Sequence, residues 1–172
     1  MRPIARALHR ICLGRPCRVI SSGDAPYLVR VYLGHLGGWR LYVHRFLVAD
    51  GERWLHDHPF NGVALVLAGG YDEEVLPALG ADVRTCRRRW VNWIPGRKFH
   101  RIAGVLPDTW TLFLHGPHRH AWGFLEPVDT EDGSRAMLYF NPFDQSDSAG
   151  ARWWARAGVA VYPPEGCGDS DR

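Results

Sequence analysis

Two histidines stand one residue apart in WLHDHPFNGVALVLAGGY, Trp54 to Tyr71. The run after them is apolar and closes on a double glycine. In a strand, side chains alternate faces with a period of two. His56 and His58 are therefore expected on one face, a few ångströms apart, where two neutral imidazoles can hold one metal ion. A third ligand must come from a distant part of the chain. His100 is the best placed, because it follows the turn IPGR and opens a new strand-like run. Three imidazoles leave coordination positions open, a set that both Zn and Fe(II) accept.

Other residues near these runs carry chemistry of their own. His44, in YVHRF, is either a satisfied structural histidine or a candidate to line the same cavity and to hydrogen-bond a ligand from behind. Tyr71 and Glu73 follow the double glycine in GGYDEE. They are the candidate catalytic residues, and Glu73 is either a further ligand, an acid or base, or part of an outward acidic rim. Its facing depends on a bulge expected at Gly69-Gly70. His115 ends the run WTLFLH and can reach a cavity mouth. His118 and His120 repeat the HxH spacing after Gly116-Pro117. They are expected in an exposed loop, with no third ligand near them.

These residues need rigid elements beneath them. Pro3 to Cys12 has helical spacing, with Ile4, Leu8 and Ile11 on one side. From Tyr27 to Phe140 the chain reads as short strands rich in aromatic and β-branched residues, separated by turn signals. The run VRTCRRRWVNWI, Val83 to Ile94, is one of them. ARWWARAG, Ala151 to Gly158, suits a short C-terminal helix. The fold class expected is all-β, a sandwich or barrel with one short helix at each end. One domain is expected over 1–162, with a disordered tail over 163–172.

Composition narrows the function. The 172 residues carry a formal net charge of +3, too small by itself to argue for nucleic acid. In the cluster Arg84, Arg87, Arg88 and Arg89, strand alternation splits the charge between two faces. It is expected to guard an edge strand rather than bind DNA. Cys12, Cys17, Cys86 and Cys167 are scattered, so no disulfide framework or cysteine-rich zinc site is expected. The basic N-terminus lacks a continuous apolar core, and no run reaches spanning length. A cytoplasmic protein with no membrane partner is the expectation.

HDHPFNGVALVLAGG followed by IPGRKFHRI resembles the two motifs of the cupin superfamily. His56 and His58 match its paired ligands, Gly69 or Gly70 its closing glycine, Pro95 its turn proline and His100 its third histidine. The motif glutamate falls at position 62 or 63, where this chain has Gly62 and Val63. The remaining set of three histidines resembles that of thiol dioxygenases and diketone-cleaving cupins, which use Fe(II). The longer pattern, from PYLVRVYL to AWGF, is also similar to small bacterial and phage cupin-like proteins. The resemblance implies a jelly-roll β-barrel and one divalent metal, Fe(II) first, with Zn, Ni or Mn as alternatives. It implies a metal-dependent enzyme, a dioxygenase, acting on a small-molecule substrate, and leaves a homodimer open. The alternative from another class is a non-enzymatic cupin, a ligand-binding or structural module whose metal is vestigial or absent.

Overall fold

The structure, a computed structural model, describes residues 3–22, 25–50, 54–131 and 135–140. The expected helix over Ala151 to Gly158 and the tail lie outside the described residues. One helix, α1 (Pro3–Cys12), precedes twelve strands. They are β1 (Cys17–Ser22), β2 (Ala25–Leu36), β3 (Trp39–Phe46), β4 (Leu55–His56), β5 (Gly62–Ala68) and β6 (Tyr71–Leu76). Then come β7 (Arg84–Arg88), β8 (Val91–Ile94), β9 (Phe99–Val105), β10 (Trp110–His115), β11 (Phe124–Asp129) and β12 (Arg135–Phe140). All pairings are antiparallel, in two six-stranded sheets ordered β1-β2-β3-β10-β5-β8 and β12-β11-β4-β9-β6-β7. Among the described residues, no helix is long and apolar enough to cross a membrane.

The first sheet uses both of its faces. Val29, Val31, Val43 and Trp110 cluster with Ala5 and Cys12 of α1. On the other face Tyr42 and Phe113 pack with Phe60 and Ile94. That second face looks toward the second sheet: Asn92 of β8 donates to Tyr71 and Glu73 of β6 across the gap. The alternation read from the sequence therefore holds, but of the face expected for α1 only Leu8 packs on the core. Ile4 and Ile11 are exposed, whereas Ala5, His9 and Cys12 are buried. Small side chains let the helix lie close on the sheet, with the His9 ring edge-on to Trp110 at 5.7 Å.

Two other expectations are corrected. Val83 to Ile94 is not one strand: β7 and β8 lie in different sheets. The chain crosses at Arg89-Trp90, which leaves Arg88 beside the second sheet and Asn92 facing in from the first. Nor is Gly69-Gly70 a bulge within a strand. It is the corner at which the chain passes from β5 in one sheet to β6 in the other, with φ values of 68° and 146°. A side chain at Gly69 would meet the Thr109 backbone at 2.8 Å. The register irregularity falls instead opposite Asp72 and Glu73, where Ala103 of β9 is the extra residue. Tyr71 and Glu73, two apart on β6, both face inward, each fully or nearly fully buried. Cys12 and Cys86 are free thiols, while Cys17 is disulfide-bonded.

Candidate metal centre

His56 and His100 are direct register partners across β4 and β9. Cross-strand neighbours of this kind bring their side chains together. His58 lies two residues beyond, past the end of β4, and is held by its own backbone. Its N–H donates to the Gly96 carbonyl at 3.1 Å. Asp57 between them turns the other way: its carboxylate accepts from the Gly123 N–H at 2.8 Å. Both histidines therefore share the inner side, as alternation predicts. The three rings form a near-regular triangle, with centroid separations of 5.3, 5.3 and 4.9 Å. One ring nitrogen from each lies within 4.8 Å of the others.

Gly96 ties the two segments of this group together. Its N–H donates to the Asn61 side chain at 2.8 Å. A Cβ there would meet the backbone oxygens of His58 at 2.9 Å and Phe60 at 3.0 Å. The turn that precedes His100 is thus pressed directly onto the loop that carries His58. Gly96→Ala is expected to cost about 1–3 kcal/mol, the usual cost of overpacking. It should also displace His58 relative to His100. Urea denaturation checks the first effect, and metal affinity of the surviving fold checks the second. A variant as stable as the parent, with unchanged metal affinity, would refute this account of the turn.

Each ring has a partner or a neighbour that fixes it. His56 Nδ1 lies 3.3 Å from the Trp54 carbonyl, and its ring stacks on Trp122 at 5.5 Å. His100 Nδ1 lies 2.5 Å from Oε1 of Glu73. That places His100 Nε2 toward the other rings, 2.7 Å from His58 Nε2. His58 packs against Trp122 and Phe60. Burial, then the proximity of His100 and His56, holds the His58 imidazole well below its ordinary pKa, so it is neutral.

Glu73 is the hub behind this group. It is completely buried. Its Oε1 accepts from Lys98 at 2.7 Å and from Asn92 at 3.0 Å, besides His100. Its Oε2 accepts from Arg88 Nε at 2.7 Å and pairs with Nη2 at 2.6 Å. Burial alone would raise the carboxyl; the bonds from His100, Lys98 and Asn92 outweigh it and hold the pKa below the carboxylate range. Glu73 is neither an outward rim nor a member of the three-histidine group. It binds the far side of His100, a role of the kind for which His44 was a candidate.

His44 lines the cavity but takes a different partner. Arg30 Nε donates to its Nε2 at 3.1 Å. Tyr71 also lines the cavity, and its oxygen accepts from Asn92 at 3.0 Å. Burial raises its phenol, which stays protonated. Gly62, where the motif glutamate would stand, is covered by Phe113: a Cβ would meet that ring at 3.0 Å. A side chain at that position would have to displace the Phe113 ring. Arg88 is not part of a solvated charged edge, because it turns in to Glu73. Arg87 remains outside, beside Asp72 at 3.4 Å on the edge strand β7.

His118 is exposed and His120 half-buried, and neither joins the group. His115 is buried, stacked on Phe60 at 3.9 Å, rather than at a cavity mouth. Burial pushes its imidazole down to about 3, against the bond to the Gly116 carbonyl. In the unfolded chain the same ring takes a proton below about pH 6.5. The folded state therefore loses stability as pH falls from about 6.5 toward 3, by up to about 1.4 kcal/mol per pH unit for one such group. His115→Phe should make that slope shallower, as measured by denaturation at several pH values. An unchanged slope would exclude His115 as a contributor.

Sequence reasoning missed Lys98 and Asn92. Both had a signal: Lys98 is two residues before His100, and Asn92 alternates with Val91 and Trp93. No protein-family model matches the chain, and no curated protein matches it. Among solved structures, the folds it resembles are cupin-type. Fe(II)-HppE with the alternative substrate (S)-1-HPP aligns at 13% identity and a TM-score of 0.48, over 59% of this chain and 55% of that one. An RmlC-like cupin from Shewanella frigidimarina aligns at 16% and 0.42, over 62% and 86%. A cupin-2 domain from Rhodospirillum rubrum aligns at 16% and 0.43, over 69% and 78%. The chain thus spans little more than half of HppE. Identities and TM-scores this low transfer nothing about substrate or chemistry.

Proposed function

We propose that this chain is a metal-dependent cupin enzyme acting on a small molecule, with dioxygenase-type chemistry at a ferrous ion. The observation that carries the reading is the convergence of His56, His58 and His100 on a cavity, with Glu73 fixed behind His100. The donor set fits a divalent ion. His58 Nε2 and His100 Nε2 face each other at 2.7 Å. His58 is held neutral in this buried place, the form in which an imidazole ligates, and three neutral imidazoles suit a divalent cation. The three histidines would hold the ion, and the Glu73 carboxylate would fix the tautomer and raise the basicity of His100.

A ferrous ion supplies the one-electron chemistry that lets O2 react with a closed-shell substrate, whereas Zn, Ni or Mn would supply Lewis acidity. The chain's own residues do the rest. Phe46, Ile94, Ile102 and Phe113 wall the cavity and exclude water from it. Tyr71 keeps its proton and, with its oxygen occupied by Asn92, can donate to a substrate atom. The non-enzymatic alternative draws its support from the missing motif glutamate at Gly62. A cytoplasmic enzyme, without nucleic-acid or membrane partners and open to homodimer formation, belongs to the same proposal.

The test is elemental analysis of protein purified without added metal, followed by oxygen uptake after anaerobic loading with Fe(II). About one divalent ion per chain and substrate-dependent uptake with small organic acids are expected. Full iron loading with no uptake across such a panel would favour the binding module over the dioxygenase.

A further inference from the structure

The cavity wall opposite the histidines carries polar groups that the metal centre leaves unused. Thr111 and His44 are register partners on β10 and β3, so their side chains stand side by side. Thr111 is 1% exposed, its hydroxyl has no hydrogen-bond partner, and it lines the cavity. Buried hydroxyls are rarely left so, because the desolvation is uncompensated. His44 is equally enclosed, its ring fixed by Phe113 at a centroid distance of 5.0 Å. Arginine has only donors, so Arg30 makes His44 Nε2 the acceptor and leaves the proton on Nδ1. Arg30, Arg101 and Asp50 also line the cavity, and Arg101 is already paired with Glu74 at 2.6 Å.

The cavity is small, about 60 Å³. That is well below the roughly 300–1,000 Å³ of a drug-sized site, so only a ligand of a few non-hydrogen atoms comes into question, a two- or three-carbon acid at most. A sugar nucleotide or a polycyclic aromatic does not fit.

We propose that Thr111 and His44 form a carboxylate subsite, which orients a two- or three-carbon hydroxy or keto acid with its other end toward the three histidines. The proposal names the substrate class for the function proposed above and rests on that reading. Two donors side by side match the two oxygens of a carboxylate, and hydrogen bonds to an ionised acceptor are roughly twice as strong as those to a neutral amide.

The test uses the Co(II)-loaded protein, whose visible bands report the metal, titrated calorimetrically with lactate and with lactamide. Lactate is expected to bind at least about tenfold tighter than lactamide. Thr111→Val should lose about tenfold in lactate affinity with unchanged Co(II) content, and Thr111→Ser should recover most of it. His44→Phe should weaken lactate binding in the same direction. If Co(II) does not load, the metal reading fails by itself. Lactate is then titrated into metal-free protein, where the difference between parent and Thr111→Val still decides the subsite. Equal affinity for lactate and lactamide, no effect of Thr111→Val, or no lactate binding by either form would overturn it.

Discussion

Glu73→Gln should lower the stability of the folded protein by about 3–5 kcal/mol, the usual cost of removing one partner from a buried ion pair. The carboxylate is wholly buried and faces two cations, Arg88 at 2.6 Å and Lys98 at 2.7 Å. Gln keeps the shape but not the charge, so both cations would stay near a neutral amide. The same change should weaken metal binding about 10- to 100-fold, the usual loss when the group behind a ligating histidine is removed. The two effects separate in a triple variant. Adding Arg88→Met and Lys98→Met to Glu73→Gln should restore much of the stability, but none of the metal affinity. The pH dependence has a definite sign. The folded-state pKa of Glu73 lies below its unfolded value of 4.5. Its contribution is therefore present above about pH 4.5 and is lost as pH falls below it, toward the folded-state value. Glu73→Gln should flatten that acid limb. Parental stability together with parental metal affinity would show that Glu73 does neither job.

The legible part of this site is the part that period-two geometry encodes. His56 and His58 share a side because Asp57 turns away, and His100 meets them because β9 pairs with β4 at that register. The alternation of Tyr71 and Glu73 was also readable, but their facing was not. It depends on how β6 enters the second sheet from the Gly69-Gly70 corner and pairs with β9, not on local residue type. The double glycine looked like a bulge, yet it serves the crossing between sheets. Tertiary register likewise decided Arg88. In the sequence it is one of three consecutive arginines; in the fold it is the arginine that sits opposite a buried carboxylate. The helix face failed for a different reason. Large apolar residues marked Ile4 and Ile11 as the inner side, but close packing on a flat sheet favoured Ala5 and Cys12. His44 lines the cavity as a hydrogen-bonded histidine rather than behind a ligand, and its partner was not readable because Arg30 lies on a neighbouring strand whose register the sequence does not display.

His100→Ala should abolish stoichiometric metal binding, whereas His118→Ala should leave it intact. His100 is the ligand from the distant segment, and its Nδ1 is fixed by the Glu73 carboxylate. Its loss leaves the paired His56 and His58, two ligands from one short stretch with no third to close the set. It also leaves the Glu73 carboxylate without one of its donors, so some stability is lost even in the absence of metal. The metal effect must therefore be read as a difference. In the parent, a divalent ion at 100 times its dissociation constant stabilises the fold by about 2.7 kcal/mol. Thermal melts with and without the ion should show that increment in the parent and in His118→Ala, and none in His100→Ala. A variant that simply fails to fold would give no melt at all, so His100→Gln serves as a second form: it fills the space, can still donate to Glu73 and supplies no imidazole. Should His100→Gln retain one ion per chain with the full thermal increment, the three histidines would not be the ligand set, and the dioxygenase proposal would lose its foundation.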